Sequence, residues 1–216
     1  MTKTYSPSAK ATTEALQEQA LQALLRGEAV IFPTDTLFGI GVSVCHAQSP
    51  ECLYRIKKRD ERKPIAWLVN NPDALDEYGK DIPPYAYALV RAYWPGPLTL
   101  IVRANEKVPR TFQSESGSVG MRMPASDVAC NLIAQIGCPL ATTSANISGH
   151  ANACSFEDLE PEILAQVPVA LSDGEVKQGI ASTVIDCTQG DTPIVLREGV
   201  IFQTDIAAVV AQSSMA

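Results

Sequence analysis

An apolar run, Cys138-Pro139-Leu140-Ala141, passes without a break into Thr142-Thr143-Ser144-Ala145-Asn146-Ile147-Ser148-Gly149. Five of the seven positions from 142 to 148 carry a hydroxyl or a carboxamide, and a glycine closes the stretch. The apolar part can be buried only with its backbone paired, and the polar part needs water or a ligand for its side chains. The sequence therefore predicts a strand over residues 139–143 that delivers a polar, ligand-facing loop.

Apolar runs of strand length recur at 29–32, 38–44, 65–69, 98–102, 118–123, 167–171, 182–187 and 194–196. Between them lie segments of helical spacing at 13–26, 72–78, 84–93, 126–136, 156–166 and 205–212. A further helix opens at Ser49-Pro50-Glu51, with proline at its first position, and delivers Lys57 and Arg59 at its C-terminal end. Thr12 or Thr13 is the expected cap of the first helix and Gly27 its stop; Pro33 is expected to end the first strand. Strands and helices mix with no shift in composition. That pattern predicts a single α/β domain over residues 13–212, built on a mixed sheet, after a flexible N-terminal segment over residues 1–12.

Several function classes are disfavoured. A net charge of −7 argues against whole-surface attraction to nucleic acid, so a polyanion would need a local patch. No run approaches the roughly 18 apolar residues of a membrane span, and Met1 to Lys10 has no apolar signal core, so a cytoplasmic protein without a membrane partner is expected. Six cysteines without CxxC spacing and two histidines, His46 and His150, give no metal-ligating set; reduced, mostly buried thiols are expected. The chain has no GxxxxGK[ST] phosphate loop and no GxSxG nucleophile elbow, and Gly39-Ile40-Gly41 is followed by Val44 where a dinucleotide fingerprint needs glycine.

Three constellations admit two readings each. Pro33-Thr34-Asp35-Thr36 is a good turn, with Asp35 suited to an Asx turn, and equally a place where Thr36 presents a hydroxyl at a strand end. Lys57, Arg59 and Lys63 are a solvated helix end, with Asp60 and Glu61 as partners, or a phosphate site combining a guanidinium fork with mobile ammonium charges. Arg122 sits between Met121 and Met123 and is costly to bury unpaired; it meets an internal carboxylate or that of a ligand. Arg197 poses the same question.

Taken in order, Pro33-Thr34-Asp35-Thr36 with Phe38-Gly39-Ile40-Gly41, Lys57-Lys58-Arg59, Trp94-Pro95-Gly96-Pro97-Leu98-Thr99, Ser118-Val119-Gly120-Met121-Arg122-Met123-Pro124, Ser144-Ala145-Asn146-Ile147-Ser148-Gly149 and Ser182-Thr183-Val184-Ile185-Asp186 resemble the YrdC/Sua5 family of threonylcarbamoyl-AMP synthases over roughly residues 15–200. The resemblance implies a twisted mixed sheet with flanking helices and a large concave cavity, positive inside. It implies that ATP, bicarbonate and L-threonine give threonylcarbamoyl-AMP and pyrophosphate, for t6A37 modification of tRNA, with Mg²⁺ accompanying ATP and no organic cofactor. By motif position, Arg59, Lys63, Ser118, Ser144, Asn152 and Arg197 would contact ATP, and Thr36, Arg122, Thr142 and Ser182 would contact threonine. Lys57 and Asn146, as members of the KxR and SxN motifs, are expected at the phosphates, which makes Lys57, Arg59, Ser144 and Asn146 the catalytic set.

Two departures stand out. Lys63-Pro64 replaces the Asn-Pro of many relatives, and the chain resembles the short bacterial form, which passes its adenylate to separate t6A transferase proteins. Two other functions fit the same residues: a carbamoyl-adenylate-forming paralogue with another substrate, as in the related domain of hydrogenase-maturation carbamoyltransferases, and a YrdC-fold module binding tRNA or other RNA through the cations of residues 55–63.

Overall fold

The computed structural model describes residues 14–213. The segment over residues 1–12 and the cap at Thr12 or Thr13 lie outside the described residues. The strands are β1 (Val30–Pro33), β2 (Phe38–Ser43), β3 (Ala66–Leu68), β4 (Gly79–Lys80), β5 (Leu98–Ala104), β6 (Ser118–Arg122), β7 (Leu140–Ser144), β8 (Thr183–Asp186) and β9 (Ile194–Arg197). The helices are α1 (Glu14–Leu25), α2 (Glu51–Lys57), α3 (Ala74–Tyr78), α4 (Pro84–Tyr93), α5 (Asp127–Ile136), α6 (Pro161–Leu164) and α7 (Gln203–Ser213). The strands form one mixed sheet in the order β1-β2-β7-β3-β6-β5-β8-β9, with β4 beside β5. β3–β6 and β5–β8 are parallel and the other pairs antiparallel.

Alternation along the strands gives the sheet two unlike faces. Leu98, Leu100 and Val102 of β5, Val119 and Met121 of β6, Trp67 of β3 and Ile185 of β8 join one apolar core, to which α4 contributes Leu89 and Val90 and α7 contributes Ile206. The opposite face is covered only at the β1 end. There α1 and α5 bury Ala20, Leu24, Leu132 and Ile133 on Val30, Phe32, Leu68 and Leu140. α5 is anchored at its start by Ser126, whose Oγ accepts from the Ala129 amide at 3.4 Å and donates to the Pro33 carbonyl at 2.8 Å. Gly137, at φ 72°, ends the helix and turns the chain into β7.

The structure departs from the sequence expectations at several points. The helix expected over residues 156–166 is a 3₁₀ turn (Phe156–Asp158) and the four-residue α6, because a proline at 161 holds Glu160 in an extended conformation. Residues 167–171 run alongside β1 but form only a single bridge, Ile31 to Ala170. Pro33 is the last residue of β1 instead of its stop, as an edge strand allows a residue without an N–H. Pro50 caps α2 from outside its first turn. β4, only Gly-Lys, has no alternation to read. All six cysteines are free, but only Cys138 and Cys187 are buried. No helix among the described residues is long and apolar enough to cross a membrane.

Gly41 lies where β2 passes beneath Phe32 and Thr142. A Cβ there would meet Thr142 Oγ1 at 2.7 Å, the Ala141 carbonyl oxygen at 3.0 Å and Phe32 Cε1 at 3.2 Å. Gly41→Ala is expected to cost about 1–3 kcal/mol through overpacking, measured as a lower urea midpoint with an unchanged m-value.

Candidate active site

The uncovered part of the helix-poor face is the floor of a cavity of about 470 Å³. Strands β3, β6 and β5 contribute alternate residues to it, Ala66 and Leu68, then Ser118, Gly120 and Arg122, then Thr99 and Ile101, while the end of β7 contributes Thr142, Thr143 and Ser144. Ser182 and Val184 extend the floor, and Leu196 and Arg197 close it. The walls are Thr34, the segment Thr36 to Gly39, the segment Thr111 to Ser114, and Tyr54, Arg59 and Asn152. Side chains on the floor are small or hydroxylic, which leaves the space open. Arg59, Arg122 and Arg197 are its charged residues, and no carboxylate faces it among the lining residues.

Arg122 is buried and its guanidinium is pre-positioned. Nε donates to the Gly96 carbonyl at 2.9 Å, Nη1 to Thr36 Oγ1 at 2.9 Å and Nη2 to Asp35 Oδ1 at 2.5 Å. Three of its five N–H groups are thus used, leaving one on each Nη for a ligand. The chain of hydroxyls continues, with Thr36 Oγ1 3.1 Å from Thr34 Oγ1, which donates to the Leu37 carbonyl at 2.6 Å. Across the floor, Thr99 Oγ1 and Ser182 Oγ are 2.9 Å apart, and Arg197 Nη2 reaches the Ser182 carbonyl at 2.8 Å. Arg59 has only one side-chain bond, Nη2 to the Pro64 carbonyl at 3.2 Å, and its buried Nε has no partner. Burial lowers the pKa of all three arginines; Arg59 adds to the lowering at Arg197 and Arg197 to that at Arg122, while Asp35 acts the other way on Arg122 and Tyr54 and Asp60 on Arg59. Arginine stays protonated regardless, so the cavity holds positive charge that an anion would neutralise.

Of the residues expected from the sequence, Thr36, Arg59, Ser118, Arg122, Thr142, Ser144, Asn152, Ser182 and Arg197 line this one cavity. Lys57, Asn146 and Lys63 do not. Lys63 is exposed, and its carbonyl accepts from the Tyr54 hydroxyl at 3.1 Å. Lys58 takes a left-handed conformation at φ 52°, ψ 41°, which ends α2 and throws Lys57 and Arg59 to opposite sides. Arg59 goes to the cavity and Lys57 goes beneath the loop that follows β7. There the Lys57 ammonium, 1 % exposed, donates to the Ser144 carbonyl, to the Asn146 carbonyl at 2.5 Å and to Asn146 Oδ1 at 3.0 Å. Asn146 Oδ1 also accepts from Ser144 Oγ at 2.6 Å, and Asn146 Nδ2 donates to the His150 carbonyl at 2.8 Å. Both motif residues therefore hold Ser144 in place from behind. Burial and the neighbouring Arg59 push Lys57 down to about 8, while Glu160 acts the other way.

Sequence reasoning missed Thr34 and Ser114 on the wall, Thr99 on the floor and Asp35 as the partner of Arg122. Thr99 was legible, since it alternates with the apolar Leu98 and Leu100. Ser114, in a loop, gave no signal. The cationic stretch over residues 55–63 is also less free than its sequence suggests: Lys58 pairs with Glu162 at 2.6 Å and Arg62 with Asp60 at 2.8 Å.

Comparison with known proteins identifies the family. The Sua5_yciO_yrdC family model, described as "Telomere recombination", matches residues 22–199, and the chain belongs to this family. It is 32% identical over 186 residues to the threonylcarbamoyl-AMP synthase of Pyrococcus abyssi, covering 86% of this chain but 54% of that protein, so it spans about half the relative's length. It is 35% identical over 190 residues to a putative threonylcarbamoyl-AMP synthase of Mycobacterium tuberculosis, covering 88% and 87% of the two chains. The crystal structure of P. abyssi Sua5 complexed with L-threonine superposes with a TM-score of 0.83 at 32% identity, covering 89% of this chain and 56% of that one.

Lys57→Met is expected to destabilise the protein by about 2–3 kcal/mol, because it strands the buried acceptors of Ser144 and Asn146. Urea unfolding of the purified variant checks this; a midpoint equal to wild type would mean that the ammonium does not hold the loop.

Proposed function

We propose that this member of the Sua5/YrdC family is a threonylcarbamoyl-AMP synthase, a nucleotidyltransferase acting in the cytoplasm on ATP, bicarbonate and L-threonine. The observation that carries this reading is the cavity itself: three arginines, a hydroxyl-lined floor and no facing carboxylate in a chain of net charge −7. Such a lining suits a multiply charged anion together with a small hydroxylated amino acid.

In this reading the two spare N–H groups of Arg122 take the threonine carboxylate, and the hydroxyls of Thr36, Thr142 and Ser182 surround the rest of the amino acid. Asp35 supports Arg122 from behind and fixes the direction of its fork. The threonine amine condenses with bicarbonate, losing water, to give a carbamate. A carbamate oxygen then bonds to the α-phosphorus of ATP as the bond from that phosphorus to the bridging oxygen of pyrophosphate breaks. Positioning and charge neutralisation carry most of such a step. Arg59 and Arg197 would meet the phosphates, with Ser118, Ser144 and Asn152 as neutral donors. Lys63 is exposed beside the lining residue Pro64 and is not itself part of the lining, and Lys57 and Asn146 act through Ser144.

Among the described residues, no group of three or more His, Cys, Asp or Glu side chains is arranged to hold a metal ion. Hydroxyls and guanidinium groups are a poor donor set for a resident divalent cation. Mg²⁺ is therefore proposed to enter bound to the triphosphate as part of the substrate. The adenylate product would pass to the transferases that build t6A on tRNA.

The test is pyrophosphate release by purified protein with MgATP, bicarbonate and L-threonine. Release that needs both co-substrates is expected; its absence from a folded protein overturns the reading. Arg59→Ala is expected to lower the rate by about 100-fold or more with an unchanged unfolding midpoint, since the fold uses only one of its hydrogen bonds. Gly120→Val is expected to fold normally, because an added Cβ meets no atom closer than 3.6 Å. Its side chain would rise from the cavity floor and weaken ATP binding by about tenfold or more, read by calorimetric titration.

A further inference from the structure

The loop from Ser144 to His150 carries Ser144 into the cavity, and its amides can be traced. Ala145 N–H bonds the Phe38 carbonyl at 2.8 Å, Ser148 N–H the Lys57 carbonyl at 2.9 Å and His150 N–H the Ile147 carbonyl at 3.0 Å. Ile147 N–H is different, because its acceptor is a side chain, Glu160 Oε1 at 2.9 Å. The second carboxylate oxygen, Oε2, lies 2.9 Å from His150 Nδ1. One carboxylate thus grips the loop at both its middle and its end. Pro161 keeps the Glu160 backbone extended, and an exposed Lys58–Glu162 pair at 2.6 Å links α6 to the end of α2. Glu160 is outside every motif by which the chain resembles its family, and it does not line the cavity.

We propose that Glu160 is a positioning residue of the site, whose carboxylate sets the loop that presents Ser144 to the nucleotide. This rests on the synthase reading for its kinetic consequence but not for its structural one. The carboxylate has a second effect, through charge. Lys57 feels the cation Arg59 and, with the opposite sign, the anion Glu160, and otherwise meets neutral oxygens of Ser144 and Asn146. Those oxygens hold the ammonium form. Loss of its proton as pH rises through about 8 removes a donor from the loop, and Glu160 opposes that loss.

The experiment compares wild type, Glu160→Ala and Glu160→Gln by amide hydrogen exchange, by the KM for ATP and by the pH profile of pyrophosphate release. Glu160→Ala is expected to speed exchange at Ile147 by about tenfold or more and to raise the KM several-fold. Glu160→Gln keeps an oxygen for the Ile147 amide, so exchange and KM should return close to wild type. Without the negative charge, however, the alkaline limb of its activity should move to lower pH. Wild-type exchange at Ile147 in Glu160→Ala would overturn the proposal. So would a lower unfolding midpoint in that variant with KM and alkaline limb unchanged, which is the mark of a purely structural residue. Should the wild type release no pyrophosphate at all, the synthase reading fails, and exchange at Ile147 alone decides whether Glu160 sets the loop.

Discussion

The strict alternation of the central strands is the constraint from which the site follows. In β5 and β6, Leu98, Leu100, Val102, Val119 and Met121 fill one face, while Thr99, Ile101, Ser118, Gly120 and Arg122 take the other. The first set is large enough to hold a core by itself. The second is too small and too polar to bind another layer of helix. A layer covers that face where Val30, Phe32, Leu68 and Leu140 call for one, and stops where hydroxyls and Gly120 begin. The cavity is the part of a sheet that its own side chains leave uncovered.

Charge in the cavity works because it is held by dipoles and carboxylates at its back. Arg122 is buried, and its burial is offset by Asp35, by Thr36 and by the Gly96 carbonyl. None of these neutralises the face turned to the ligand. Arg59 and Arg197 are less enclosed, and each feels the other's repulsion. An incoming anion removes that repulsion in surroundings less screened than bulk water, where each contact is worth more than on an open surface. The overall acidity of the chain does not work against this, because charges beyond about 10 Å are largely screened at ordinary ionic strength.

Much of this was legible in the sequence. The apolar run into Thr142–Ser148 became β7 and its polar loop, and the order of strands and helices survived with few changes. Legibility failed where a long-range contact or a local backbone restriction overrode the apolar pattern. Residues 167–171 have strand composition, yet β1 offers them a single bridge. Residues 156–166 read as one helix until the backbone restriction imposed by a proline at 161 is weighed. Of the two readings of Arg122, the internal carboxylate is there as Asp35, and two N–H groups are left over with capacity for a further acceptor. No spacing rule could pair Asp35 with Arg122 across 87 positions of chain, or bring Glu160 under Ile147.

The KxR and SxN motifs show why a motif and a contact surface differ. Lys57 and Arg59 are two positions apart, and a helix continued through Lys58 would have swung them about 200° around its axis. The left-handed Lys58 ends the helix between them, and one cation supports the loop that follows β7 while the other lines the cavity. A similar division separates Ser144, on the wall, from Asn146, two residues on and turned inward to Lys57. Replacing Lys57 by arginine would keep the charge, but the compact ammonium is what fits among oxygens of Ser144 and Asn146. The two hidden positions and the two that line the cavity are thus held by different means: dense coordination of an ammonium behind the lining, and a guanidinium left with hydrogen-bonding capacity in front of it.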